Sequence, residues 1–369
     1  MSSLGRAAGH VLPLLLLAVA AGCSARPADE VSSATESNLD EGDTAPGDGP
    51  LAPDATFGTN GSLTLPGSVA ISAARRTDGS IGVLGSKGPA AALTIISADG
   101  SAQAEVMLAP VALDGVVLSH EDGLLVAGVA KTDARGRYFV SRIGADGAVD
   151  ATFTPDPLDL EPSAGAAAVT KDGKVLVAGR FSDHAAIVRL NANGSLDASF
   201  GDQGLWLASD DRATVTRLTL GADDSIYAVT TGADKTLLAH FSAAGKPDAK
   251  FGTKGLATLP NDAGPSALAF TKSGLRFVSA SGVSAIDAQG AVTAGESVSG
   301  QVIGFGTSTG FVTAITEGDQ CTVHVTEKAT TNLTAGECAS NVSYVALGGG
   351  KRALVSNTAE GVSVRVFGN

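Results

Sequence analysis

Short apolar runs separated by glycine-containing turns make up most of the chain after residue 50. The stretch from Ala164 to Phe181 shows the pattern, because AGAAAVT and VLVAGRF flank the turn KDGK. A second run, AAIVRLN, then leads to an Asn-Gly turn at Gly194 and to a further apolar run around GLWLAS. Asp-Gly and Asn-Gly between short β-rich runs are strong hairpin signals. No stretch after the first 22 residues shows helical periodicity, so the pattern predicts an all-β chain.

The same unit recurs along the chain. A turn followed by an apolar strand occurs at seven places, about 36 to 51 residues apart. Each unit predicts four strands, and four strands in a unit of this length are typical of a β-propeller blade. We therefore expect seven four-stranded blades, with six or eight as the alternatives. The seven turns are marked by Gly79, Gly123, Gly173, Asp224, Gly274, Gly310 and Gly350.

A second shared element, Asp-Ala-x-Phe, follows the turn after the third predicted strand. Its aspartate is expected to accept hydrogen bonds from turn N–H groups, and its phenylalanine to pack between neighbouring blades. A copy near residue 54 lies ahead of the first unit, whereas the seventh unit lacks the element. We therefore expect the N-terminal strand to complete the last blade and close the ring, which would leave no open sheet edge there. The four copies are Asp54 with Phe57, Asp150 with Phe153, Asp197 with Phe200, and Asp248 with Phe251.

Cationic or imidazole side chains precede these turns at Arg142, Arg189 and His240, and Arg365 is a further candidate. Each is expected to pair with a nearby acid in a repeated structural bridge. The alternative is a ring of cations that lines one face or the central channel.

The motif VLVAGRF followed by AIVRLNANGSLDASFG resembles the delta-60 repeat family, which is found in secreted and envelope proteins of bacteria. The match is best for residues 172–204 and 223–255, good for 122–153, and weak after Pro265. The resemblance implies a propeller fold. It implies no catalytic residues, because the biochemical role of the family is undefined.

The N-terminus predicts export and a lipid anchor. Arg6 and an apolar run from Val11 to Ala21 form a segment too short to span a bilayer, which is typical of a signal peptide over residues 1–22. Ala-Ala-Gly-Cys at residues 20–23 resembles the bacterial lipobox, which implies cleavage before Cys23 and its lipidation. Ser24 then suggests the outer membrane of a Gram-negative bacterium. An ordinary signal peptide is the alternative.

Residues 23–50 are predicted to form the lipidated cysteine and an acidic, disordered tether, and residues 51–369 the repeat domain. The formal net charge of −13 argues against a nucleic-acid partner, since phosphate binding needs clustered Lys and Arg. The turn at Gly194 lacks the spacing of a calcium loop, and no histidine pattern indicates a metal site. We therefore predict no cofactor and no catalytic or metal-binding residue.

Two functions follow from these patterns. The first is a lipid-anchored envelope propeller that binds an unidentified protein or glycan, because propeller loops converge on a rigid face. A purely structural envelope protein is not distinguished from it. The alternative is a propeller enzyme, a hydrolase or lyase acting on a polysaccharide or another envelope substrate.

Cys321 and Cys338 are expected to form a disulfide after export, because an even pair in an oxidising compartment favours one. Closing this loop would stabilise the fold by about 3 kcal/mol. Non-reducing mass spectrometry of the purified protein should find the two cysteines linked, and free thiols at both positions would refute the bridge.

Overall fold

The computed structural model describes residues 52–368 with short gaps, and for residues 301–342 it describes the backbone alone. The described ranges are 52–132, 136–158, 160–211, 213–260, 267–271, 274–279, 282–295, 301–305, 311–317, 320–325, 333–336 and 340–368. Every regular element in these ranges is a β-strand, which confirms the all-β prediction. They contain no helix with the length and apolar character needed to cross a membrane.

The first half of the described chain forms strands β1 to β13. They are β1 Ala52–Pro53, β2 Ser62–Pro66, β3 Ser68–Arg75, β4 Ile81–Lys87, β5 Ala90–Ile96, β6 Gln103–Ala109, β7 Leu113–His120, β8 Gly123–Ala130, β9 Arg137–Ile143, β10 Glu161–Val169, β11 Val175–Phe181, β12 His184–Leu190 and β13 Leu205–Asp211.

The second half forms strands β14 to β28. They are β14 Thr214–Leu220, β15 Ile226–Thr231, β16 Thr236–Phe241, β17 Leu256–Leu259, β18 Ala267–Thr271, β19 Gly274–Ser279, β20 Gly282–Ile286, β21 Val292–Ala294, β22 Gln301–Phe305, β23 Phe311–Glu317, β24 Gln320–Val325, β25 Leu333–Gly336, β26 Ser340–Gly348, β27 Lys351–Thr358 and β28 Gly361–Gly368.

The described strands make seven antiparallel sheets. Five are four-stranded with neighbours in chain order, namely β3–β6, β10–β13, β14–β17, β18–β21 and β22–β25. The second sheet has three strands, β7–β9. The seventh consists of β26–β28 together with β1 and β2, which both pair with β28. We number the sheets one to seven in this order around the molecule, starting from β3.

The sheets pack face against face, so the core lies in layers between them. The first strands of successive sheets contact one another in the sequence β3, β7, β10, β14, β18, β22 and β26, and β26 also contacts β3. One layer joins Phe57 and Val364 of the seventh sheet to Ile81 of the first. Another joins Ile187 of the third sheet to Phe241 of the fourth.

The fourth strands β2, β13 and β17 are each introduced by a turn that needs positive φ. After Phe200, the sequence Gly-Asp-Gln-Gly has φ of 53° at Gly201, 52° at Gln203 and 96° at Gly204. The Gly204 N–H donates to the Phe200 carbonyl at 2.7 Å, which reverses the chain into β13. The same Phe-Gly-x-x-Gly turn precedes β2 and β17, with positive φ at the three matching positions. Glycine is favoured there because it has no Cβ to clash at positive φ.

The second sheet departs from the prediction of four strands in every unit. Its Asp-Ala-x-Phe element continues as Thr-Pro-Asp-Pro, so Pro157 stands where Gly204 stands in the third sheet. Proline is fixed near φ −65° and has no N–H, so this sequence cannot make the turn or donate to a ladder. The next strand is β10, which begins at Glu161, and the described residues between β9 and β10 form no fourth strand.

The turn makes a stability prediction. Gly252 has φ +53°, and a Cβ there would meet the backbone oxygen of Leu256, so Gly252→Ala should destabilise the fold by about 1–3 kcal/mol. In the matched control Gly232→Ala, a new Cβ meets nothing closer than 3.8 Å, so we expect a change within about 0.5 kcal/mol. Chemical denaturation measures both, and equal effects would contradict the role of the turn.

Candidate functional site

Neighbouring sheets are joined by a repeated arrangement that we call the seam. It consists of the Asp-Ala-x-Phe element of one sheet and the glycine turn after the third strand of the next. In each seam, the N–H of the residue after the phenylalanine donates to the carbonyl of the residue before the turn glycine. The four bonds run from Gly58 to Asp99 at 2.7 Å, Thr154 to Asn193 at 3.0 Å, Gly201 to Ala244 at 3.0 Å, and Gly252 to Gln289 at 2.7 Å.

The phenylalanine ring lies directly on the glycine of the next sheet. A Cβ on Gly245 would lie 2.6–2.9 Å from ring atoms of Phe200, and Gly245 itself has φ +76°. Phe57 and Phe251 approach the turn glycines of their neighbouring sheets in the same way. Phe57, Phe200 and Phe251 are fully buried. The turn glycine is therefore needed both for its backbone conformation and for ring contact.

The aspartate of the element closes its own turn. Its Oδ1 accepts from the N–H two residues later at 2.8–3.0 Å in all four copies, which is an Asx turn. The donors are Thr56, Thr152, Ser199 and Lys250.

An arginine on the third strand ties the seam together in two copies. Arg189 Nε donates to Asp197 Oδ2 at 2.7 Å, the guanidinium lies 4.8 Å from the centre of the Phe200 ring, and Nη1 donates to the Ala243 carbonyl of the next sheet. Arg142 does the same with Asp150, at 2.8 Å from Nε to Oδ2. One side chain thus holds the carboxylate, the aromatic ring and the neighbouring turn.

Other side chains occupy this place in the remaining copies. His240 Nδ1 lies 3.1 Å from Asp248 Oδ2, and its ring stacks on Tyr227. Asp54 is bound by Lys351 Nζ at 2.6 Å. Lys351 begins β27, the second strand of its sheet, and Lys174, which immediately precedes β11, lies 3.0 Å from Asp197 in the third sheet.

The alignment of Arg365 with Arg189 is wrong by one residue. Asp197 N–H donates to the carbonyl of Arg189, whereas Asp54 N–H donates to the carbonyl of Val366. Val366 is therefore the matching position, and its apolar side chain explains why Lys351 supplies the positive charge instead.

The first and second sheets are bridged by an arginine that the repeat does not predict. The first sheet lacks the Asp-Ala-x-Phe element, and Arg76, at the end of its first strand, reaches across instead. Its Nη2 donates to the carbonyls of Asp122 at 3.2 Å and of Ala145. The only sequence signal is an arginine before an Asp-Gly turn, which is not specific.

These contacts keep the seam carboxylates ionised to low pH. The Lys351 ammonium and the Thr56 hydroxyl lower the pKa of Asp54 to about 2. Hydrogen bonds from Thr152 and then Arg142 lower the pKa of Asp150 to about 2. Burial raises the pKa of Asp197, but bonds from Ser199 and Lys174 outweigh it and hold that pKa well below its usual range.

Side chains that could suggest metal binding or catalysis instead make hydrogen bonds to the backbone of turns. Asn193 Oδ1, in the turn considered as a calcium loop, accepts from the Ser195 N–H at 3.0 Å. His120 is buried, with Nε2 3.3 Å from the Gly173 carbonyl. Among the described residues, no three His, Cys, Asp or Glu side chains are grouped as metal ligands.

The three predicted cysteine sites lie outside what the structure describes. Cys23 precedes the first described residue, Cys338 falls in a gap, and Cys321 lies on β24, where only the backbone is described.

Comparisons with known proteins agree with this architecture. Residues 170–200 match the family model for a domain of unknown function (DUF5122) beta-propeller. Curated protein sequences give no match. The structure is similar to a streptogramin B lyase, at 13% identity over 83% of this chain and 96% of that one, with a TM-score of 0.56.

Two further structures show the same likeness. The Cps50 (Swd1) propeller of Myceliophteria thermophila is 11% identical over 84% of this chain and 98% of that one, with a TM-score of 0.55. The Dos1 propeller is 11% identical over 86% and 95%, with a TM-score of 0.52. Such identities bear on the fold alone. Together with the repeated antiparallel sheets, they show that the chain is a β-propeller repeat protein.

The seam makes its own prediction. Arg189→Gln leaves the buried carboxylate of Asp197 with Lys174 as its remaining ion-pair partner, so we expect a loss of about 2–3 kcal/mol in unfolding free energy. Lys87→Met removes a cation from the exposed pair with Glu105 and should cost about 0.5 kcal/mol or less. Urea denaturation compares the two, and equal losses would argue against the seam as a stabilising element.

Proposed function

We propose that the protein is a lipid-anchored β-propeller of the cell envelope that serves as a binding or protein-interaction platform. The lipobox-like residues 20–23 support the anchor, and the acidic residues 24–50 support a tether that would reach roughly 30 Å. A Gram-negative outer membrane is the location that Ser24 favours.

We further propose that the domain is a closed ring of seven blades. The contacts of β26 with β3 and the pairing of β2 with β28 support this closure. In the ring, the N-terminal strand is the outer strand of the last blade. The anchor is therefore connected to a strand that is paired along its length.

The platform proposal rests on what the repeated polar side chains bind. The described seam carboxylates bind their own turns and the cations beside them, as at Asp150 and Asp197. They hold the scaffold rigid and leave recognition to the loops between strands, which is how propellers present binding surfaces.

The tether joins the ring at its turn face, which we define as the end that carries the turns at Gly79 and Gly100. Ala52 pairs with Gly368 there, and Asp54 binds Lys351, the first residue of β27. The opposite face, with the loops at Gly88 and Gly232, lies farther from the anchor.

Substitution of Cys23 tests the anchor. Cys23→Ser removes the thiol that the lipid would modify, so the protein should move from the membrane fraction to the soluble fraction. Ser24→Ala is the matched control and should remain in the membrane. Unchanged partitioning of Cys23→Ser would contradict the lipid anchor.

Affinity capture tests the platform. The full chain is used as bait in envelope extracts, with a polysaccharide panel beside it, and a specific protein or glycan should be retained without being altered. Cleavage of a polysaccharide into new products would support the alternative of a propeller hydrolase or lyase. The control is a Cys23→Ser bait incubated with an excess of soluble extract as competitor. If the full chain retains nothing above the level of this control, the result counts against a platform.

A further inference from the structure

We propose that the open edge of β9 is a docking site for an extended segment of a partner polypeptide, which adds to the second sheet as its fourth strand. The inference rests on the proposed function as a binding platform and names its binding mode. Strand addition of this kind draws its affinity from main-chain hydrogen bonds.

The edge of β9 carries backbone N–H donors whose counterparts in the third and fourth sheets are paired with a fourth strand or its turn. Arg189 N–H donates to the Gly204 carbonyl at 3.1 Å, and His240 N–H to the Gly255 carbonyl at 3.3 Å. Arg142 occupies the matching position of β9, and the described residues offer it no such acceptor. Because outward-facing groups alternate along a strand, the N–H groups of Tyr138 and Val140 face the same edge.

The strand is correspondingly exposed. Arg137 is exposed and four further residues of β9 are half-buried. In β12, the third strand of the complete third sheet, all residues after His184 are buried. An edge strand with unpaired N–H and C=O groups is a template for another strand.

The following segment of this chain does not fill the edge. β10 begins with Glu161 at the opposite face, and the described residues 154–158 that lead toward it include Pro155 and Pro157. The N–H groups of Thr154 and Asp156 donate to the turn of the third sheet, at 3.0 Å to Asn193 and 3.2 Å to Gly194. The segment is thus held on its neighbour and away from the β9 ladder.

The molecule already contains a strand added from a distant part of the sequence. Residues Ser62–Pro66 pair with Arg365–Gly361 of β28 in continuous register and complete the seventh sheet. A strand that does not follow directly in the chain can therefore occupy this place. A second copy is disfavoured as the occupant, because two chains of formal net charge −13 repel each other.

The side chains of the edge define the partner segment. It has no proline in its centre, since each proline removes a ladder bond. Tyr138 and Leu158 are half-buried apolar neighbours, which favour apolar residues at alternate positions. The segment runs antiparallel to β9, so its C-terminal end lies opposite Arg137, the exposed first residue of β9.

One strand of this protein has that chemistry and serves as the probe. The peptide Gly-Leu-Trp-Leu-Ala-Ser-Asp-Asp, residues 204–211, pairs in the third sheet with Asp211 opposite His184. His184 corresponds to Arg137 in β9, so the peptide would place an aspartate opposite that arginine. A second peptide with proline in place of Trp206 is the control.

Residue-resolved hydrogen exchange on the purified full chain tests the proposal. The amides of Val140 and Arg142 should exchange at least about tenfold faster than those of Ile187 and Arg189, their counterparts in β12, in the free protein. The peptide at about 1 mM should slow them at least about tenfold, whereas the proline peptide should not. Equal protection of β9 and β12 in the free protein, or no slowing by the peptide, would overturn it.

Variants of Val140 link the edge to biological partners. Val140→Pro removes one outward donor and leaves the bonds to β8, whereas Val140→Ala keeps the donor and controls for the lost side chain. Val140→Pro should lower the recovery of a partner captured from envelope extract at least about tenfold, and Val140→Ala less than about twofold. Undiminished capture by a folded Val140→Pro chain would refute the β9 site and leave the binding platform standing.

Discussion

The contact of a phenylalanine ring with a glycine turn of the next sheet is the interaction on which the rest of the structure depends. An isolated four-stranded sheet of this size has two apolar faces and cannot bury both by itself. The ring of Phe200 covers Gly245, and the adjacent Gly201 N–H binds the Ala244 carbonyl. The third and fourth sheets are therefore fixed to each other by one apolar contact and one backbone bond at a defined point.

The polar side chains of the seam vary more than this contact does. The side chain that contacts the carboxylate is arginine in two copies, histidine in one and a lysine from another strand in a fourth. Only the arginines reach the neighbouring turn, because a planar guanidinium can hold a carboxylate and a carbonyl at once. The aspartate that closes its own turn is constant across the four copies. The turn and the aromatic contact thus define the seam, and the side chain that contacts the carboxylate varies between copies.

Much of the fold could be predicted from the sequence, because hairpin turns and the repeat are local signals. The turns at Gly194 and Gly245 and the repeated Asp and Phe positions can be read directly. Pro157, at a position where other copies have glycine, is a sequence signal for the three-stranded second sheet. The repeat pattern alone predicts four strands in every unit. Lys351 and Arg76 could not be assigned, since they reach the seam from other strands and only the fold brings them there. Function was less accessible still, because the most regular motif is scaffold.

Native-state hydrogen exchange at the four amides that cross the seams tests the central claim most directly. These are the N–H groups of Gly58, Thr154, Gly201 and Gly252, all of which lie between the strands in turn or loop sequences. If the seams hold neighbouring sheets together, exchange of these amides requires the same free energy of opening as exchange of the buried amides of β11 and β15. Exchange of these four amides at the rate of ordinary loop amides, with the strands still protected, would contradict the account.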